Sequence, residues 1–207
     1  MITSRTVSSL EKIFHDSEPT CASLSEMSML GNERASFQLA YFSDEDTHCG
    51  ISVSGWNPEN MKIYKVVEIN SDMPAYEDSD FYFLRKAPGP YPDMLEPVED
   101  GTFLVEKGHY GSMWIELDAS GESAGKHDLF VTVSKGKETV TNVITVDVIP
   151  AKLPAQELMC TMWFHCDCLA TYYKVDVFSE EHWRIIENYV KNAAAHGINF
   201  ILTPLFT

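Results

Sequence analysis

The residues on either side of Pro150-Ala151-Lys152-Leu153-Pro154 follow different hydrophobic periods, and this change constrains the fold more than any other feature of the chain. Before it, short segments alternate apolar and polar residues: Ser36–Phe42, Gly50–Val53, Lys62–Ile69, Ser112–Leu117, Asp128–Val133 and Thr139–Val148. Turn-forming sequences separate them, among them Gly31-Asn32, Trp56-Asn57-Pro58, Asp118–Gly125 and Lys135-Gly136-Lys137. A period of two puts every second side chain on one face of a sheet. Segments of this kind predict an antiparallel, immunoglobulin-like β-sandwich over residues 1–150, with a hairpin tip at Ser134–Thr139. One stretch departs from the pattern. Five of the ten prolines lie between Met73 and Val98, amid dense acidic residues. Proline has no N–H for a ladder, so this stretch reads as a long loop around one short strand, Phe81–Leu84, its aromatics docked on another surface.

After the linker the pattern changes. Leu158–Phe164 is nearly continuous in apolar residues, as in a strand buried on both faces of a parallel sheet. Ser179 is a favoured helix cap, and Glu180 and Glu181 suit the positive end of a helix dipole. Trp183, Ile186, Val190, Ala193 and Gly197 recur at helical spacing, which predicts a helix to about His196 with a core-facing stripe. Gly197 then serves as terminator, and Ile198–Thr203 as a second buried strand. Residues 151–207 therefore read as a linker and one parallel βαβ unit. Such a unit cannot cover its own sheet faces. The expectation is that the polypeptide is the N-terminal part of something longer, and that it self-associates through its open sheet.

Composition excludes several function classes. Fifteen Lys and Arg stand against 31 Asp and Glu, a net charge of −16. Of the acidic residues, 25 precede residue 151, so the two parts differ in charge as well as in period. A basic face for nucleic acid is missing, as is a polybasic segment for an anionic membrane. No apolar run approaches the roughly 18 residues of a membrane span. The first twenty residues carry no apolar stretch of a leader peptide, and five cysteines is an odd count, so free thiols and a cytoplasmic location are expected. There is no Gly-rich phosphate loop and no local signature of a Ser or Cys nucleophile. No cofactor is expected.

Four stretches carry a family resemblance: Leu30–Leu39 (LGNERASFQL), Tyr91–Pro97 (YPDMLEP), Ser112–Asp118 (SMWIELD) and, longest, Trp163–Thr207. They resemble a family of large bacterial proteins, a domain of unknown function related to glycoside hydrolase family 123. Its members join an N-terminal β-sandwich to a (β/α)8 catalytic domain. The resemblance covers most of this chain but about the first third of a family member. Gly125-Lys126-His127-Asp128 departs from the family's Gly-x-Tyr turn. The resemblance implies that residues 151–207 open a truncated (β/α)8 barrel and that the substrate is a glycan, including 2-acetamido sugars. It also implies an Asp-Glu pair in which Glu is the general acid and Asp steers the substrate acetamide. No segment of this chain matches that pair, so no catalytic residue is assigned and the chain alone is expected to be inactive.

Within that frame, His165 and Asp167 follow the first barrel strand, at the face where barrels of this type carry their active sites, and are the candidate substrate-binding residues. The bland reading is that Asp167 caps a turn and His165 is a satisfied loop residue. His165-Cys166-Asp167-Cys168 is not expected to bind metal. Zinc ligands come in pairs two to four residues apart with a second pair elsewhere, which is missing here. Thr203 and Pro204 end the second strand. Tyr172 and Tyr173 read as loop aromatics, Glu180 and Glu181 as surface charges, Asp44-Glu45-Asp46 as a solvated turn, and Trp56 and Trp114 as sandwich core or rim. A non-catalytic carbohydrate- or protein-binding module is the competing reading.

Overall fold

The computed structural model describes residues 1–72 and 83–203, and the chain divides into two compact units, Met1–Leu153 and Pro154–Thr207. In the first unit ten strands form two five-stranded sheets: β1 Ile2–Ser8, β2 Glu26–Leu30, β3 Arg34–Ser43, β4 Thr47–Ser54, β5 Met61–Ser71, β6 Gly89–Pro97, β7 Thr102–Val105, β8 Tyr110–Asp118, β9 Gly125–Lys135 and β10 Glu138–Ile149. One sheet has the order β1-β3-β8-β5-β6, the other β2-β10-β9-β4-β7. Every pairing in them is antiparallel except β2 with β10.

Alternation decides which side chains meet between the sheets. Phe37 and Leu39 of β3 and Met113, Ile115 and Leu117 of β8 join Leu129, Val131 and Val133 of β9 and Ile144 and Val146 of β10 in one core, each fully buried. Each such side chain contributes about 1.5–3 kcal/mol. On the outer face of β9 and β10, Thr132 bonds Thr141 at 2.9 Å and Thr145 donates to Asp128 at 2.7 Å. The outer face of β3 is covered as well. Ala40 packs with Val7 and Ile13, while the Gln38 amide donates to the carbonyls of Ser8 and Glu11 and accepts from Ser112 Oγ at 2.8 Å. The segment after β1 therefore seals this strand.

Gly55 is required where β4 turns. Its φ is +94°, and a Cβ there would lie 2.1 Å from the Asp128 carbonyl oxygen. At the unit's end, Gly31 N–H donates to Ala151 O and Asn32 exchanges two bonds with Leu153, so the chain stays bound past Pro150.

The proline-rich stretch needs correction. Pro90, Pro92 and Pro97 lie within strand β6, which among the described residues pairs only with β5, around a register shift at Val67/Glu68. An edge strand tolerates proline because one side of its backbone has no partner to lose. The expected strand Phe81–Leu84 lies partly outside the described residues, and Phe83 and Leu84 are not in a strand.

The second unit contains β11 Thr161–Trp163, α1 Cys166–Tyr173, α2 Glu180–Ala195 and β12 Phe200–Leu202. β11 and β12 are parallel, Met162 opposite Ile201. Two expectations are corrected. Two helices, not one, connect the strands. The run Leu158–Phe164 is not a buried strand: three of its residues are in β11, all three are exposed, and β12 is their single partner strand among the described residues. The predicted long helix is present as α2. Ser179 Oγ accepts from His182 N–H at 3.2 Å, and Gly197, at φ +83°, follows the C-cap His196. Its stripe is only partly covered, with Ile186 buried and Trp183 and Val190 exposed.

Candidate functional site

At the carboxyl end of β11, Phe164 N–H donates to Leu202 O at 2.9 Å and extends the parallel ladder by one bond. The chain then leaves the sheet through His165, the N-cap of α1, whose φ of −92° and ψ of 93° are extended and whose side chain makes no capping bond. Its imidazole instead stacks on Trp163, the last residue of β11, with ring centroids 6.0 Å apart and planes 21° from parallel. Asp167 follows in the first turn of α1, half-buried, where a carboxylate suits the exposed amides of the helix start. His165 and Asp167 thus flank Cys166 at one end of the strand pair. Asp167 is a helix residue, His165 lies in the short connection between β11 and α1, and Tyr172 and Tyr173, read as loop aromatics, lie on α1.

A residue that sequence reasoning passed over holds this corner. His182 of α2 is fully buried. Its Nδ1 accepts from Phe178 N–H at 2.8 Å, so Nε2 carries the proton and donates to Cys166 O at 2.7 Å. One side chain thereby ties the first turn of α1 to the turn before α2. Tyr173 and Tyr189 join the same helices through their hydroxyls at 3.1 Å, a bond that raises the Tyr189 phenol above its ordinary value. The amino end of the strands is closed by Asn199, which accepts from Cys160 N–H at 2.8 Å and donates to Leu158 O at 3.1 Å.

The other candidates lie elsewhere. Glu180 and Glu181 occupy the first turn of α2. Asp44, Glu45 and Asp46 form an exposed turn whose carboxylates pair with the N-terminal ammonium, Lys135 and the Lys107 N–H respectively. Trp56 is buried edge-on to His127, and Trp114 is half-buried. Thr203 is exposed, and Pro204 lies outside the described residues. Among the described residues, no group of three or more His, Cys, Asp or Glu side chains is arranged to hold a metal ion. The two-sheet unit has a cleft of its own, of about 240 Å³, lined by His15, Lys65, Glu68, Glu106 and His109. His15 Nδ1 lies 2.8 Å from Glu68 and His109 Nδ1 2.9 Å from Glu106. These residues come from separate segments, so no local motif announced them.

The family model for the glycoside hydrolase 123 catalytic domain matches residues 163–207. This stretch begins at the stacked Trp163. The chain resembles a family 123 glycoside hydrolase. A solved family 123 enzyme from Clostridium perfringens agrees in fold, with a TM-score of 0.76 at 17% identity over 97% of this chain. The chain spans 38% of the length of that family 123 structure. A FixG-related protein from Vibrio parahaemolyticus, at TM-score 0.37 and 10% identity, covers 73% of this chain and 97% of its own, a likeness too slight to carry argument. No curated protein matches. None of the described helices is long and apolar enough to cross a membrane.

Proposed function

We propose that the chain supplies the N-terminal part of a family 123-like glycan hydrolase, with residues 1–150 as an immunoglobulin-like β-sandwich and 151–207 as the linker and first strands of a (β/α)8 barrel. The observation that carries this reading is the catalytic-domain match at residues 163–207, falling on a parallel strand pair with His165 and Asp167 at its carboxyl end. In barrels that end carries the active site. His165 and Asp167 bind substrate hydroxyls, and the substrate is a glycan carrying 2-acetamido sugars. The C. perfringens enzyme is described for glycolipid glycan hydrolysis, which makes glycolipid headgroups a first panel to try. Glycosidic hydrolysis uses two groups flanking the bond, whereas β11 presents a single carboxylate at its end, so the 207-residue chain alone is inactive. All five cysteines are free, in keeping with a reducing, cytoplasmic setting.

The test is Asp167→Asn in the intact protein that carries this chain. Loss of a charged hydrogen bond to substrate lowers kcat/KM by about tenfold to a hundredfold. The β-sheet circular dichroism stays unchanged. Unaltered kinetics in a folded variant remove Asp167 from the site. A second reading, a carbohydrate- or protein-binding module without catalysis, is favoured by the His-Glu cleft of the two-sheet unit. It gains if the intact protein binds glycans but hydrolyses none.

A further inference from the structure

The cleft of the two-sheet unit has a buried polar group left over. Tyr41 of β3 is only 5% exposed, yet its hydroxyl has no hydrogen-bond partner among the described residues. The phenol lies over Gly111, opposite it on β8, where a Cβ would come within 2.6 Å of the hydroxyl. Glycine at 111 therefore leaves the phenol its place in the wall of the cleft, which both residues line. Burial pushes the phenol above its ordinary value, so it keeps its proton and can donate.

Two imidazoles line the same cleft, edge to face with ring centroids 5.1 Å apart. Each is held by a carboxylate at Nδ1, His15 by Glu68 of β5 and His109 by Glu106 from the turn between β7 and β8. A carboxylate only accepts, so Nδ1 carries a proton in both rings. Neither Nε2 has a partner among the described residues. A neutral ring offers a lone pair there, and a protonated ring offers a donor. A ligand hydroxyl answers either one, and it also accepts from Tyr41. The charges of the cleft select against other ligands. Glu68 and Glu106 oppose a phosphate or a carboxylate, while the Lys65 ammonium, 3.4 Å from Leu104 O, opposes a metal ion or an amine. The volume, about 240 Å³, has room for a single sugar ring.

We infer that this cleft binds a neutral, hydroxyl-rich small molecule of the size of one sugar ring. Tyr41 donates to it, and Nε2 of His15 and of His109 hold its hydroxyls. The inference rests on the binding-module reading of the two-sheet unit, to which it gives a ligand class, and needs nothing from the hydrolase reading.

The test uses the 207-residue chain with D-glucose, D-galactose and myo-inositol as neutral probes, and acetate and zinc ion as charged ones. Binding is read by saturation-transfer NMR for the organic probes and by calorimetry for zinc. Saturable binding of a neutral probe is expected. Tyr41→Phe removes one oxygen atom and should weaken that binding by about threefold to tenfold, the scale of one hydrogen bond. The urea midpoint of the free chain should stay level or rise, because the deleted hydroxyl had no partner to lose. His109→Phe keeps a ring, leaves the exposed Glu106 to water, and should weaken binding by a similar factor. Unchanged affinity in either variant shows that the probe sits elsewhere, and overturns the cleft while leaving the module reading in place. A lower midpoint for Tyr41→Phe makes the phenol a structural group and likewise overturns the site. Binding of acetate or zinc ion with none of the neutral probes overturns the ligand class. A chain that binds no probe at all at millimolar concentrations overturns both the site and the module reading.

Discussion

His182 shows how one side chain can organise a corner through backbone atoms alone. Its ring nitrogens have opposite duties, Nδ1 accepting from Phe178 and Nε2 donating to Cys166, in a place closed to water. Removal of the ring in His182→Ala leaves the Phe178 N–H unpaired and takes from Cys166 O the second of its bonds, the first being that of the α1 helix itself. One unsatisfied group costs about 1–3 kcal/mol, and a loss of that size is expected in the second unit. The helical signal at 222 nm should melt earlier in urea while the two-sheet unit keeps its midpoint. A shift below about 0.5 kcal/mol, the usual range of a surface change, would falsify the clamp. The position of His165 and Asp167 just past β11 was legible in the sequence because they follow an apolar run. His182 was not, because its partners are backbone atoms 4 and 16 residues away, which no residue type advertises.

Elements were legible where their ends carry chemical signals. α2 has a capping serine, acidic first-turn residues and a glycine past its end, and the helix starts and stops at those marks. α1 has none of them, its N-cap being a histidine without a capping bond, and eight residues are too few to show a period. β6 was hidden by its prolines and is held by tertiary contacts instead. Tyr91 meets Phe14 edge to face at 5.7 Å, and Lys12 donates to Pro92 O at 3.0 Å. Just before the strand, Arg85 lies 4.0 Å above the Phe14 ring and bonds both oxygens of Asp16 at 3.0 and 2.5 Å. The bonds from Arg85 hold the Asp16 carboxyl below its ordinary value. A depressed carboxyl contributes stability that is present above its unfolded pKa and is lost as pH falls through the folded one. The pin between residues 12–16 and 85–92 should therefore hold at neutral pH and loosen only below about pH 4. The protection factors of the amides of residues 12–16 should fall there, and in Asp16→Asn they should be low at every pH. Equal protection in parent and variant at pH 6 would show that the aromatic contacts alone hold the segment.

At the scale of the whole molecule, the change of hydrophobic period was legible because it has a direct physical counterpart. The first unit completes a core between two layers, whereas the second leaves Leu158, Met159, Met162, Phe200 and Leu202 exposed. Apolar patches of this kind favour association. The purified 207-residue chain is expected to scatter light as oligomers above 23.4 kDa, and a chain ending at Leu153 as a monomer. A monodisperse 23.4 kDa species would mean that the second unit shields these residues by other means. What the sequence could not reveal was which strands are neighbours, since alternation fixes faces but not partners. The parallel pairing of β2 with β10 is the clearest case, and it bears on how the chain is made. β10 sits between β2 and β9, and it leaves the ribosome last of all the strands in its sheet. At about 5–20 residues per second, β2 waits on the order of ten seconds for the strand it pairs with. Nascent chains halted before Glu138 therefore hold a sheet with a gap where its second strand belongs, and the facing edges of β2 and β9 stay open until translation delivers it.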